Sequence, residues 1–344
     1  MATIVRAQAP DGYLFPHLQL AEPGYRHFSE EGSRTCESYS MGHLIESAVE
    51  HQRRTGQAAY LDAARRAADL LARAHADGRL GVSGHPEIEL ALVRLHRATG
   101  AKPYLDLAAA LIDGARKTVT LWPNGRPPLG HDEAWGHVVA MLYLYCAAVD
   151  VAVLTGDGAL LDRMVRKWED AIGRKLYITG GLGHSGYSEG FGPAWDLPNS
   201  LAYCETCASI ANALWNHRLF LARGDAAFLD VLERSLYNNI AAGVGLSGDR
   251  FFYVNPLATD GRRRFNCGSA ERFAWTGCPC CPVNLVRFLP QVPGFACASR
   301  GGDLYVNLFL APLRTTALRL VAELQPGASG GVLEWRLVHG PGQE

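Results

Sequence analysis

The sequence predicts a mainly α fold, an (α/α)6-type barrel followed by the start of a β-sandwich. Three observations carry that expectation. A helix–glycine–helix unit recurs along the chain, the two helices of each unit differ in polarity, and the apolar period changes from helical to strand-like after about residue 300.

The recurring unit is visible in "HQRRTGQAAYLDAARRAADLL", "LHRATGAKPYLDLAAALID", "AVLTGDGALLDRMVRKW" and "FLARGDAAFLDVLERSLYN". In each, one helix ends, the chain turns on Gly56, Gly100, Gly156 or Gly224, and a second helix begins. Glycine just past a helix end takes the left-handed conformation without a Cβ penalty. First helices such as "HVVAMLYLYCAAVDVAVL" are apolar nearly all round, as a helix between an outer layer and a central axis should be. Second helices such as "LLDRMVRKWEDA" carry charge on one face.

Three first helices are expected to open on Gly-His, at Gly42-His43, Gly84-His85 and Gly136-His137, and the fourth on Glu205 and Cys207. If the hairpins wrap into a ring, these residues lie at the N-terminal ends of inner helices around one mouth. A single histidine there is as readily a satisfied core or helix-end residue. Three at matching repeat positions argue for a shared site.

Segment 172–204 is rich in Gly, Ser, Pro and aromatics without a helical period, and a loop of that length in a compact domain is usually functional. Another irregular stretch, 246–284, holds "RFFYVNPL" and "WTGCPCCPVN". Beyond it, "DLYVNLFL", "TTALRLVAEL" and "GVLEWRLV" read as strands. The expected domains are therefore a helical barrel over 1–298 and a partial β-sandwich over 299–344.

With 33 basic and 34 acidic residues and no basic run beyond "GRRRF", nothing argues for nucleic acid or an anionic membrane as partner. The first residues lack a leader pattern and no segment is expected to reach the ~18 apolar residues of a membrane span, so the expected location is cytoplasmic. Thiols stay reduced there, and nine cysteines, three of them within "CPCC", suggest metal binding or catalysis before disulfides. Cys36, Cys146 and Cys297 stand alone and read as small buried apolar residues.

Glu205, Cys207, Cys280 and Cys281 could supply the four ligands of a tetrahedral zinc site. Cys278 or Cys267 could take the place of one member, and a purely structural zinc is the alternative reading. A zinc-held sulfur stays thiolate at neutral pH and offers a nucleophile. The aromatics Tyr187, Phe191, Trp195, Tyr203, Tyr253 and Trp275 suit stacking on a sugar. Glycoside hydrolysis also needs a proton donor, for which Glu189 in "YSEGFG" is the candidate, set against a merely solvated loop glutamate.

The run "YITGGLGHSGYSEGFGPAWDLPNSLAYCETCASIANALWNHRLF" with "GCPCCPVNLVRF" resembles glycoside hydrolase family 127, the former DUF1680 group of β-L-arabinofuranosidases, and the related family 146. "GHLIESAV", "GHPEIELALV", "GHVVAMLYLY" and "FFYVNPL" extend the resemblance over nearly the whole chain. It implies an (α/α)6 barrel followed by β-domains and a retaining mechanism. Cys280 would be the zinc-bound nucleophile, Cys281, Glu205 and Cys207 the other Zn2+ ligands, and Glu189 the acid/base. His43, His85, His137 and Tyr253 would contact the sugar.

Val283 departs from the second proline common in the family, and Cys278 is an added thiol. Relatives carry further helices before this chain begins, so four hairpins stand where six are expected and the barrel is expected to be incomplete at its N-terminal side. The expected partner is a carbohydrate of the arabinofuranoside type, with a homo-oligomer left open. The alternatives are a non-catalytic carbohydrate-binding or scaffold protein with a structural zinc, and a glycosidase for another furanosidic sugar or sugar acid.

Overall fold

The computed structural model describes residues 1–30, 35–117, 126–300, 303–309, 313–314, 318–325 and 332–339. The chain divides into two compact units, Met1–Pro282 and Val283–Glu344.

The first unit opens with two short helices, α1 (Ala2–Ala7) and α2 (Pro16–Ala21). Four helical hairpins follow: α3 (Glu37–Thr55) with α4 (Ala59–Ala76), α5 (Ile88–Thr99) with α6 (Lys102–Lys117), α7 (Val138–Thr155) with α8 (Gly158–Arg174), and α9 (Thr206–Arg223) with α10 (Ala226–Ser235). Each helix packs on its hairpin partner, while the first helices pack side by side in the order α3, α5, α7, α9. The expected inner and outer layers of an α/α barrel are therefore present. The four turn glycines all sit in the left-handed region, with φ of 72°, 70°, 75° and 77°. Asp157 and Asp225 then start the outer helices by accepting the Leu160 and Ala227 N–H groups.

Burial follows the layers. α7 is buried continuously from Val138 to Ala152, whereas α8 buries only Leu160, Met164, Lys167 and Ala171, a single stripe at i, i+4, i+7 and i+11. One expectation is corrected here. Val138–Thr155 does have the length and apolarity of a membrane span, but 83% of it is buried inside the protein, because α5, α6, α8 and α9 pack against it.

A second correction concerns α3, which begins at Glu37 and not at Gly42. The Glu37 carboxylate is wholly buried and accepts from Tyr13 Oη, Tyr25 Oη, the Phe28 N–H and Thr35 Oγ1, so the N-terminal segment is folded around the helix start. Gly42 serves a different purpose. A Cβ there would lie 2.9 Å from Glu87 Cγ and 3.1 Å from the Ile88 nitrogen, so the missing side chain lets α3 approach the start of α5.

No helix forms between α8 and α9, as expected, and the loop there is folded back on itself by backbone bonds from Tyr203 N and Cys204 N to Gly183 O and from His184 N to Gly190 O. Its entry is fixed at Gly180, which has φ of +79° and whose carbonyl accepts from Ser235 Oγ. A Cβ on Gly180 would fall 2.7 Å from the Ser235 nitrogen. Gly180→Ala should therefore lower stability by on the order of 3 kcal/mol, from conformational strain plus overpacking. A urea midpoint within error of the parent would contradict that packing.

The second unit continues helix α11 (Cys280–Phe288), whose first turn belongs to the first unit, and adds two antiparallel sheets. One pairs β1 (Cys297–Arg300) with β2 (Asp303–Val306). The other has the order β3 (Leu313–Arg314), β4 (Leu318–Gln325), β5 (Val332–His339). The runs predicted at 315–324 and 331–338 are strand where described, the run predicted at 303–310 is strand only to Val306, and 310, 315–317 and 331 lie outside the described residues.

Candidate active site

Two segments far apart in sequence meet at the start of α9. Glu205 is the N-cap residue but its side chain makes no cap hydrogen bond, and Cys207 lies in the first turn. Cys280 and Cys281 begin α11. Cys207 Sγ is 3.4 Å from Cys281 Sγ, Cys281 Sγ is 3.6 Å from Glu205 Oε1, and Cys280 Sγ is 3.9 Å from both Cys281 Sγ and Glu205 Oε1. Ligands about one metal–sulfur bond from a tetrahedral centre lie ~3.3–3.8 Å from one another. The four donor atoms all fall within 4.8 Å.

The other Glu205 oxygen, Oε2, is buried and has no hydrogen-bond partner. Glu205, Cys207 and Cys281 are each at most 2% exposed. Burial pushes Glu205, Cys207 and Cys281 well above their ordinary ranges. Cys280 alone is drawn down, by hydrogen bonds from Cys207 and then Cys281, so the cluster's negative charge rests on that sulfur. An orphaned buried carboxylate oxygen among three sulfurs is a poor structural core and a good cation site.

Cys278 is exposed and its Sγ lies 3.9 Å from Cys280 Sγ, outside the four-residue group. Cys267 is also exposed and outside it. Of the three isolated cysteines only Cys146 is buried as expected. Cys36 is exposed and Cys297 intermediate, because one precedes α3 and the other lies in a two-stranded sheet.

Next to this cluster stands a carboxylate held by two donors. Glu189 sits at the tip of the folded-back loop with φ of +50°. Its Oε2 is 2.8 Å from His137 Nε2, and its Oε1 accepts from Tyr203 Oη at 2.8 Å. The His137 bond, assisted by Tyr203, holds the Glu189 carboxyl below the usual range against the opposing effect of burial. The pairing is built into the backbone, since the Val138 N–H donates to Glu189 O and the Phe191 N–H to Gly136 O. His137, Glu189 and Glu205 bring one donor atom each within 4.8 Å of one another.

The histidines form a file. His43 Nδ1 is 3.1 Å from Glu87 Oε1, its ring meets Tyr39 edge-on at 4.5 Å, Tyr39 meets His85 at 4.6 Å, and His85 meets His137 at 5.7 Å. They do converge, though not from equivalent positions. His137 caps α7, His85 precedes α5 by three residues, and His43 lies in the second turn of α3. Burial and then the neighbouring His137 push His85 down to about 4, which leaves it neutral and able to exchange hydrogen bonds with hydroxyls.

Tyr253 meets Tyr203 edge-on, with ring centres 6.1 Å apart. It is placed by two residues that sequence reasoning overlooked. The Thr206 N–H donates to Tyr253 O, and the buried Asn266 Oδ1 accepts the Tyr253 and Val254 N–H groups. Of the other expected mouth aromatics, Tyr187, Trp195 and Trp275 are exposed.

Residues 1–294 match the model of the β-L-arabinofuranosidase, GH127 catalytic domain family. The chain belongs to glycoside hydrolase family 127. Among GH127-like relatives, it is 34% identical to the non-reducing end β-L-arabinofuranosidase of Bifidobacterium longum subsp. longum, over 93% of this chain and 54% of that one. A solved GH127 β-arabinofuranosidase superposes with a TM-score of 0.84 at 38% identity, covering 95% of this chain and 53% of the other. A GH127 β-L-arabinofuranosidase from Geobacillus stearothermophilus T6 gives 0.84 at 34% identity, with 94% and 56% covered. The chain thus spans about half the length of these relatives.

Proposed function

We propose that the protein is a retaining glycosidase that releases terminal β-L-arabinofuranose through Cys280 and Glu189. One observation carries this reading. The Glu205 carboxylate lies 3.9 Å from Cys280 Sγ and within 4.8 Å of a Glu189 oxygen, so a charged sulfur and a carboxyl group converge on one point. Membership of family 127 and the activity printed for the Bifidobacterium and Geobacillus relatives supply the substrate class.

Glu205, Cys207, Cys280 and Cys281 fit Zn2+, three sulfurs and one carboxylate being a tetrahedral donor set for that ion. Bound zinc would supply positive charge that keeps the sulfurs ionised at neutral pH and holds the cluster together. The chemistry itself is assigned to the chain. The Cys280 thiolate attacks the anomeric carbon while the Glu189 carboxyl gives its proton to the departing oxygen, so a C–S bond forms as the C–O bond breaks. Glu189, now ionised, takes a proton from water as that water attacks the same carbon, and the cysteine leaves as thiolate. Two inversions give retention. The neutral His85 and the His43–Glu87 pair would bind ring hydroxyls.

The decisive assay is hydrolysis of an aryl β-L-arabinofuranoside, with the anomer of the first-formed sugar read by NMR and metal content measured on the same sample. Retention with one zinc per chain is expected. Bound zinc without turnover on any furanoside would instead support a carbohydrate-binding protein.

The His137 bond makes a further expectation. In kcat/KM the proton donor must be protonated, so activity falls as pH rises through the Glu189 pKa. Removing the bond that most lowers that pKa, in His137→Ala, should raise it and move the alkaline limb to higher pH. A limb that stays put or moves down would show that His137 does not control Glu189.

A further inference from the structure

We propose that Lys175, paired with Asp170, is a positioning residue for the His137–Glu189 pair, an assignment that rests on the glycosidase reading above. Lys175 closes α8 and its side chain is 3% exposed, an unusual place for an ammonium group. Its Nζ donates to Ala134 O at 2.6 Å and lies 2.9 Å from Asp170 Oδ2 and 3.3 Å from Glu133 Oε1. Asp170 Oδ2 in turn accepts the Ala134 N–H at 2.9 Å. One ion pair on the outer helix therefore grips both backbone polar groups of a single residue. The wholly buried Lys167, two turns earlier than Lys175 on α8, takes the preceding carbonyl, Glu133 O, at 2.8 Å.

What is gripped leads straight to the site. Ala134 is three residues before His137, and the intervening Gly136 carries the backbone bond to Phe191. Lys175 also lies near the loop segment beyond Glu189, with Nζ 6.0 Å from the centre of the Phe191 ring, two residues further on. The same ammonium group thus bonds the segment that ends in His137 and lies over the ring of the segment that follows Glu189. Along the backbone the two segments are joined by short bonds, Val138 N–H to Glu189 O and Phe191 N–H to Gly136 O. Such a small bridge has little stiffness of its own, and the 2.8 Å spacing of His137 Nε2 and Glu189 Oε2 needs an outside anchor. The ion pair acts through geometry and does not reach the reacting atoms.

A purely structural ion pair would slow every substrate alike. Misplacing the proton donor slows substrates with poor leaving groups most, since these depend on protonation during bond cleavage. The test is kcat/KM for Lys175→Met on a para-nitrophenyl and a para-methylphenyl β-L-arabinofuranoside. The methylphenyl substrate should lose at least about tenfold more than the nitrophenyl one. Asp170→Asn keeps an acceptor for the Ala134 N–H while removing the charge, and should show the same bias in smaller measure. It also serves if Lys175→Met does not fold. The second readout needs no turnover: the hydrogen-bonded ring N–H of His137, assigned by NMR against His137→Ala, should shift or broaden in either variant. Equal losses on both substrates, or an unchanged His137 signal, would overturn the proposal. A parent protein that hydrolyses no furanoside refutes the glycosidase reading, and the His137 signal then decides the positioning claim by itself.

Discussion

Cys280→Ser should lower turnover of an aryl furanoside by about 10,000-fold or more, the scale on which enzymes lose activity when a covalent nucleophile is removed. The argument is local. Of the three sulfurs in the cluster, Cys281 and Cys207 are buried, whereas Cys280 is partly exposed and so open to a substrate. A serine hydroxyl at that position ionises far less readily than a thiol and is a much weaker nucleophile. The parent protein, quenched early with an activated substrate, should show one sugar mass on the peptide containing Cys280 and none on that containing Glu189. Sugar on the Glu189 peptide would exchange the roles. Activity that survives the serine substitution would remove Cys280 from the mechanism.

Chelation should have the second largest effect, on stability as well as on rate. A ligand that binds only the folded state stabilises it by about 4 kcal/mol when present at a thousand times its Kd, which for a protein of this size corresponds to a change on the order of 10 °C in the thermal midpoint. Stripping the metal leaves a buried carboxylate oxygen without a partner and restores protons to sulfurs that metal would keep ionised. Since release of the metal takes up protons, affinity should fall as pH falls. Cys281→Ser should mimic chelation, with loss of metal by elemental analysis and a lowered midpoint that added zinc does not rescue. A midpoint indifferent to both treatments would refute the metal centre.

How much of this was written in the sequence depends on the kind of interaction. The four hairpins were legible because a glycine in the left-handed region and an apolar helix beside an amphipathic one leave periodic marks. The sulfur cluster was legible because its residue types are rare and crowded, although spacing alone left Cys278 as an alternative to Cys281 and the coordinates place it, exposed, outside the group. Gly42 misled: its neighbour His43 suggested a helix start, whereas the glycine marks a close approach of two helices. Asn266, Thr206 and the Lys175–Asp170 pair left no mark at all. Each joins side chains to backbone across an irregular segment, and such bonds follow tertiary geometry and not a period.

The continuous burial of α7 has a consequence for how the protein comes to be made. A helix with no polar face cannot rest in water while it waits for its neighbours, and the covering helix α9 is synthesised some fifty residues after α7 ends, roughly by direct count. Until α9 arrives, the nascent chain presents a long apolar rod able to associate with other unfinished chains or with a bilayer. Low-temperature expression or chaperone supply should therefore raise the soluble yield more than any change to the site, and polar substitutions along α7 should reduce it before they alter catalysis.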